Sequence, residues 1–261
     1  MHAEILIVGT EILLGHVVDT NASLIGRVLA ENGIDLYQKT TVGDNRGRIC
    51  RALNDALDRS EAVLVSGGLG PTADDITREC VAEVLGCPLE FRQELLDHIA
   101  RRFARRHRAM TENNRKQAYV PRDAIVLENR NGTAPGFIVE HARGRVICMP
   151  GVPSELEAML THQVVPYLRR AFAVTAVIHS RVLKVFNVGE SAVDTAIGDL
   201  VDSEQNPTVG LLASPGAVCV RLTAKAKTVE EADRMIDRLE AVIRTRLPGL
   251  TIGTDGAASP Q

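Results

Sequence analysis
The run Ser66-Gly67-Gly68-Leu69-Gly70-Pro71-Thr72-Ala73-Asp74-Asp75-Ile76-Thr77 combines residue types that suit one kind of chemistry, the handling of a phosphorylated ligand. Gly67, Gly68 and Gly70 allow bare backbone N–H groups to approach an anion closely. Asp74 and Asp75 would repel that anion unless a divalent cation lay between them. The run therefore reads as a metal-phosphate site. The same residues also describe a tight turn whose aspartates merely cap a helix. Constrained glycine and proline positions followed by Asp-Asp-Ile-Thr favour the ligand-binding reading. Two named phosphate loops are excluded: no Gly-x-x-x-x-Gly-Lys-Ser/Thr run occurs, and a dinucleotide fingerprint starting at Gly68 lacks the glycine it needs at Ala73.

The elements that position this run follow from periodicity. Ala62-Val63-Leu64-Val65 precedes it as an apolar strand, and Ile76, Cys80 and Val84 recur behind it at helical spacing until Gly86. Thr72 and Asp75 have the spacing of a capping box, which predicts a helix starting at Thr72. Glu4 to Val8 and Ile34 to Thr41 read as further strands. Between them Leu24, Ile25, Val28 and Leu29 mark a helix capped by Asn21 and stopped at Gly33. Ile49, Leu53, Ala56 and Leu57 mark another. Strands alternating with helices predict an α/β fold, three layers around a mostly parallel, Rossmann-like sheet. Ligands of such sheets sit beyond the carboxyl ends of the strands. Glu11, Asp44 and the Ser66 loop each follow a strand, so three separated motifs are expected on one edge.

Further on, Leu95 to Arg108 predicts a basic helix carrying Arg101, Arg102, Arg105, Arg106 and Arg108. It reads as a solvated face or oligomer rim, because no aromatic residues are interleaved. Gly136 to His141 and Arg145 to Met149 predict a hairpin around Arg143-Gly144. Pro153 suits the first turn of a helix with Leu156, Met159, Leu160 and Val164 inside. Past Arg170 the pattern changes to a strand over Val177 to Val188 and a helix marked by Val193, Ile197, Leu200 and Val201. A hairpin around Ser214-Pro215-Gly216 and a helix over Val229 to Arg246 follow. This predicts a second, smaller α/β domain. The expected division is 1–170 and 175–253, with 254–261 a small, polar, fraying tail.

The 261 residues are 45% hydrophobic and 24% charged, the balance of an ordinary globular protein of one or two domains. A net charge of -3 and 3% aromatic residues with no tryptophan argue against nucleic acid as a partner. No apolar stretch approaches membrane-spanning length, which argues against a membrane as well. Five cysteines, odd in number and without a Cys-x-x-Cys pair, look like reduced core residues and predict a cytoplasmic location. His2, His16 and His98 read as incidental surface or packing residues. Neither Gly-x-Ser-x-Gly nor His-Glu-x-x-His occurs.

The glycine run resembles the amino-terminal domain of the CinA family (competence/damage-inducible proteins), a branch of the MoaB/MogA-like molybdopterin-binding fold. Other segments match in order. They are Val8-Gly9-Thr10-Glu11-Ile12-Leu13-Leu14-Gly15, Asp19-Thr20-Asn21, Val42-Gly43-Asp44-Asn45 and Met110-Thr111-Glu112-Asn113-Asn114-Arg115-Lys116-Gln117-Ala118. Asn131-Gly132-Thr133-Ala134-Pro135-Gly136 and Pro150-Gly151-Val152-Pro153-Ser154-Glu155-Leu156 complete the set. The resemblance covers nearly the whole chain. It implies a MoaB/MogA-like first domain, a KH-like second domain and a homodimer. No Gly-x-x-Gly loop follows Arg170, so the second domain reads as structural or dimer-forming and not as an RNA clamp. The resemblance also implies that the chain lacks the carboxy-terminal domain, similar to nicotinamide-nucleotide amidases, that full-length members usually carry.

Members of that family are associated with metal-dependent hydrolysis of ADP-ribose to AMP and ribose 5-phosphate. The resemblance implies that activity, with Mg²⁺ or Mn²⁺ as cofactor and a small-molecule nucleotide as substrate. Asp44 and Asp75 can hold the cation, since carboxylates are hard ligands. Glu11 or Asp74 could orient water, and Gly67, Gly68 and Gly70 can donate backbone N–H groups to phosphate. Ser66, Thr72, Lys116, Gly151, Ser154 and Glu155 are candidate ligand contacts, Ser154 at a helix start. Asn21 and Asn45 could touch substrate, although Asn21 serves equally as a helix cap. Two alternatives remain open. One is a molybdopterin-binding or adenylyl-transferring protein of molybdenum cofactor assembly, where members tend to carry Arg-Asp in place of Asp74-Asp75. The other is a non-catalytic regulatory or scaffold domain.

Overall fold
A computed structural model describes residues 1–203, 205–247 and 252–254. The chain divides into two compact units, one formed by Met1–Leu29 with Asp35–Val174 and the other by Ala30–Ile34 with Thr175–Gln261.

In the first unit the chain runs β1 (His2–Val8), α1 (Thr10–Leu13), α2 (Thr20–Glu31), β2 (Asp35–Val42), α3 (Arg46–Leu57), β3 (Ala62–Ser66) and α4 (Thr77–Leu85). Then come β4 (Leu89–Phe91), α5 (Gln93–Arg105), a 3₁₀ segment Glu112–Ala118, β5 (Tyr119–Pro121), β6 (Ile125–Leu127), β7 (Gly136–His141) and β8 (Gly144–Met149). α6 (Pro153–Met159) and α7 (Val165–Ala171) close the unit, joined by a π-type segment at Leu160–Val164. The main sheet has the order β2-β1-β3-β8-β7-β6. Its first four strands are mutually parallel, while β7 and β6 are added antiparallel. The continuous apolar runs of β1 and β3 follow from this position, because a parallel sheet in this class is covered on both faces. Leu6, Val8, Val63, Val65, Val146 and Cys148 share one cluster with Ile49 and Leu53 of α3 and Cys80 and Val81 of α4. Ile5, Ile7, Leu64 and Ile147 alternate with them toward the opposite face and are equally buried. The mostly parallel α/β sheet expected from the sequence is the observed one.

Four local expectations are corrected. Thr72 does not start a helix: α4 begins at Thr77, and the Thr72–Asp75 exchange closes a turn ahead of it. Asn21 does not cap α2, because Asp19 accepts the Ala22 N–H at 2.9 Å and Asn21 is buried for other use. The basic helix α5 ends at Arg105, where Arg106 caps it and His107 turns to positive φ, so Arg108 lies outside. Thr254 does not open the tail; it ends a strand, and the tail beyond it, 255–261, lies outside the described residues.

The second unit contains β9 (Val177–Phe186), α8 (Glu190–Val201), β10 (Thr208–Ser214), β11 (Ala217–Ala226), α9 (Val229–Arg246) and β12 (Ile252–Thr254). Its sheet, β10-β11-β9-β12, is antiparallel throughout. Leu183, Val185, Val220 and Leu222 of the sheet bury against Val193 and Ile197 of α8 and Ile236 and Ile243 of α9. Thr228 caps α9 by accepting the Glu231 N–H at 3.2 Å. Among the described residues no helix is long and apolar enough to cross a membrane.

Candidate functional site
The parallel strands β1, β2, β3 and β8 all end on one edge of the first unit, and each delivers a loop into one cleft of about 600 Å³. Val8 leads to Gly9 and Glu11, Val42 to Asp44, Ser66 to the glycine run, and Met149 to Pro150 and Gly151. Gln117, Thr133, Ala134 and Glu155 complete the wall.

Glycine is required twice in the run. Gly67 has φ +107° and a Cβ there would lie 2.1 Å from the Val8 carbonyl oxygen. Gly68 has φ +67° and a Cβ would lie 2.1 Å from Thr77 Oγ1. No other residue type lets β3 turn so close to the end of β1. The turn is pinned by its hydrogen bonds. Gly67 N donates to the Met149 carbonyl at 3.1 Å, and Thr77 donates from N to Gly68 O and from Oγ1 to Gly67 O at 3.1 and 2.9 Å.

The carboxylates are held as firmly. Asp44 Oδ2 accepts from both the N–H and the hydroxyl of Thr10 at 2.8 Å. Asp75 Oδ2 accepts from Thr72 N at 2.9 Å and from the Thr72 hydroxyl. The same hydroxyl lies within reach of Asp74 and holds that carboxyl below its ordinary range. Glu155 packs over Gly132, where a Cβ would meet its carboxylate at 2.1 Å, and Oε2 accepts from Asn129 Nδ2 at 2.7 Å. Glu11 stands over Gly9.

Five carboxylates thus line the cleft, and among the described residues no lysine or arginine lines it. Two cations lie behind the loop instead. Lys116 Nζ donates to the carbonyls of Thr72 (3.1 Å) and Asp75 and pairs with Glu79 at 3.5 Å, so it ties down the run from outside and does not line the cleft. Arg78 is 1% exposed and donates from Nη2 to Leu69 O at 2.6 Å, while its Nη1 has no partner among the described residues. Burial pushes the Arg78 pKa down, and the nearby Glu79 and Asp75 oppose that shift.

Of the residues read as site candidates, Glu11, Asp44, Ser66, Gly67, Gly68, Gly70, Asp74, Asp75, Gly151 and Glu155 meet in this cleft. Thr72, Asn21, Asn45, Lys116 and Ser154 do not line it. Asn21 braces its floor, donating to Ser66 Oγ at 3.0 Å and to Gly151 O at 2.7 Å. Asn45 caps α3 by accepting from Arg48 N. Ser154 offers only its carbonyl, to Asn131 Nδ2 at 2.8 Å. Sequence reasoning overlooked Thr10, Gln117, Asn129 and Thr133. Gln117 sits inside the Met110–Ala118 run, and its signal was the run itself.

A divalent cation needs several oxygen ligands within reach of one point. Among the described residues no three His, Cys, Asp or Glu side chains converge as a ready-made cage. Asp44 and Asp75 nevertheless each take their hydrogen bonds on Oδ2, which leaves Oδ1 of each for another partner. Mg²⁺ is commonly held by one or two carboxylates together with substrate phosphates and water. The residues fit a cation completed by its ligand.

Residues 4–170 match the family described as probable molybdopterin binding domain, and residues 180–253 match the damage-inducible protein CinA KH domain. Proteins named competence-damage inducible from Clostridium novyi (strain NT) and Moorella thermoacetica are 44% and 46% identical to the chain over 98% of its length. The chain spans 61% of the length of each. The crystal structure of CinA from Thermoplasma acidophilum, a protein described as having unknown function, superposes with a TM-score of 0.58 at 38% identity. That likeness covers 61% of this chain and 94% of the other.

Proposed function
The chain belongs to the CinA family, a probable molybdopterin binding domain followed by the family's KH domain, and from that premise we propose that its cleft binds a phosphorylated heterocycle together with a divalent cation. The observation that carries this reading is the strand-end edge itself. Gly68 and Gly70 bring bare backbone to the cleft, whereas the Gly67 N–H, expected to face phosphate, is taken by the Met149 carbonyl. Asp44 and Asp75 face it with unused carboxylate oxygens. A volume of about 600 Å³ lies within the ~300–1,000 Å³ range of small-molecule sites.

The reaction we infer is hydrolysis of the diphosphate of ADP-ribose to AMP and ribose 5-phosphate. Asp44 and Asp75 would hold Mg²⁺ or Mn²⁺, which when bound neutralises charge on the diphosphate oxygens. Water adds at one phosphorus and the bridging P–O bond breaks, so each product leaves with one phosphate. Asp74, an exposed carboxylate held below its ordinary range beside the Thr72 hydroxyl, suits orienting that water. Glu11, exposed at the lip, suits taking its proton. Lys116 and Arg78 hold the loop's carbonyls and so keep its turn fixed while charge builds in front of it.

The family's molybdopterin-binding description favours a second reading, in which the same loop holds a pterin phosphate without hydrolysis. Incubation with ADP-ribose and Mg²⁺ or Mn²⁺, with AMP followed by chromatography, separates the two. AMP formation that needs the metal supports the hydrolase. Binding of a pterin phosphate with no AMP formed supports the second reading, and neither result leaves a regulatory or scaffold role ahead. We also read the chain as a cytoplasmic homodimer, consistent with its five free cysteines and with Leu14, Val18 and Tyr37 at 63%, 80% and 76% exposure. A single 28.2 kDa species in sedimentation at micromolar concentration would remove the dimer.

A further inference from the structure
A second cavity lies on the other side of Thr133, and that residue lines both. Its volume is about 170 Å³, well below the ~300–1,000 Å³ of sites that take a whole small-molecule ligand. A ligand could enter it only in part, with the rest of the molecule anchored elsewhere.

Leu95, Val126 and Pro135 give it an apolar wall. Arg101, exposed at the mouth, offers a guanidinium plane that stacks on aromatic rings. Glu94 and Glu128, also exposed on its lining, accept hydrogen bonds from amino groups. An apolar slot, a stacking cation and acceptors at the rim together match a planar, amino-bearing heterocycle.

The partition between the two cavities is short and stiff. Asn129 is 3% exposed, and its side chain donates to Ala134 O at 2.8 Å and to Glu155 of the main cleft at 2.7 Å. Its Oδ1 accepts from the backbone of Asn131 and Gly132 at 3.0 and 2.6 Å. On the other side its carbonyl accepts from His98 Nε2 at 3.4 Å. One residue therefore fixes a carboxylate of the main cleft and a wall of the side cavity at once.

We propose that the side cavity is the subsite for the heterocyclic base of the ligand whose phosphates lie in the main cleft, the molecule crossing between them over Thr133. This rests on the phosphorylated-heterocycle reading above. A purine and a pterin share the required chemistry, and the experiment distinguishes them.

Val126→Trp should fill the cavity while leaving the glycine loop untouched. Calorimetry with Mg²⁺ on the parent and variant chains would use ADP-ribose, a pterin phosphate and inorganic pyrophosphate. The variant should bind the base-bearing ligand about tenfold more weakly and pyrophosphate within about twofold of the parent. Equal weakening of pyrophosphate, or no weakening of any base-bearing ligand, overturns the subsite. Should Val126→Trp fail to fold, Glu94→Trp provides the test. It places the only tryptophan of the chain at the rim and leaves the cavity open. Its emission should change on adding the base-bearing ligand and stay constant with pyrophosphate; no change with either base overturns the subsite. A parent chain that binds pyrophosphate but neither base-bearing ligand removes the subsite alone. A parent that binds none of the three removes the phosphate reading and this one with it.

Discussion

In the second unit Arg181 on β9 reaches Asp237, Glu240 and Asp233 of α9 at 2.6, 2.8 and 2.9 Å, and Arg244 closes on Glu240 at 2.7 Å. Arg246 pairs with Asp199. Every acid in that group has a base. The cleft of the first unit gathers Glu11, Asp44, Asp74, Asp75 and Glu155 without one lining lysine or arginine. Among the described residues, one nitrogen of the buried Arg78, whose other Nη holds the Leu69 carbonyl of the loop, also has no partner. Both regions are acidic strand-and-helix surfaces, yet among the described residues only one has its acids in direct ion pairs, the cleft having Lys116 and Arg78 behind its loop. Charges answered internally serve the fold. Charges of one sign collected at strand ends leave a favourable interaction to be made by something from outside, and perturbed or unmatched groups in clefts mark functional sites for that reason.

The sharpest way to break this comparison is Asp75→Asn. The amide oxygen still accepts from Thr72, so the fold should survive with its thermal midpoint unchanged. Metal-dependent AMP formation should fall about a hundredfold or more, because a neutral amide is a much weaker ligand for a hard cation. Asp44→Asn should act alike from a different strand end. Asp58→Asn is the control, since that carboxylate is exposed and answered by Arg143 at 2.8 Å. An Asp75→Asn chain as active as its parent at saturating metal would sink the metal-phosphate reading. Gly67→Ala comes next. Its Cβ collides with the Val8 carbonyl at positive φ, a strain of ~1–3 kcal/mol. The loop must move, and phosphate binding should weaken about tenfold by calorimetry, one decade per ~1.4 kcal/mol.

Arg181→Leu probes the neutralised region. It removes one partner from each of three carboxylates, Glu240 keeping Arg244, and should cost about 1–2 kcal/mol in denaturant unfolding, with AMP formation per folded molecule unchanged. A matching loss of turnover would show that the two regions cannot be separated. The smallest effect concerns a neutral group. Burial pushes the Cys80 thiol up from 9.0 to about 12. A raised folded pKa means that stability is full below the unfolded value of 9.0 and is lost as pH climbs toward about 12. Unfolding midpoints of the parent should therefore drop more steeply over that window than those of Cys80→Ala.

Much of this arrangement could be read from residue order. The glycine run, Glu11 and Asp44 each follow a strand, and the rule that ligands lie beyond strand ends places them together without coordinates. Helix α9 begins and ends where its periodicity does, at Val229 and Arg246. What escaped was set by contacts distant in sequence. Thr72 and Asp75 look like a capping box, but Lys116 holds the carbonyls of both and the helix waits until Thr77. Asn21 has the profile of a cap, yet its amide is drawn to Ser66 and Gly151. Strands β4, β5 and β6 are three residues each, too short for any period to show. Gln117 and Thr133 sit inside the Met110–Ala118 and Asn131–Gly136 runs, but residue order alone does not show that those runs reach the cleft.

The dual pairing of β8 has a consequence for the order in which the molecule assembles. Its antiparallel partner β7 is separated from it by only Ala142 and Arg143, whereas its parallel partner β3 joins Ser66 to Met149 across half the unit's chain. Closing the short loop costs little entropy and closing the long one costs more, so the hairpin can form early and its docking on β3 comes late. That late step is the one that brings Met149 O to Gly67 N and sets Gly151 against Gly67. The cleft is thus completed by the most sequence-distant pairing in the sheet, and a chain that has acquired its secondary structure but not yet docked the hairpin lacks the proposed phosphate site.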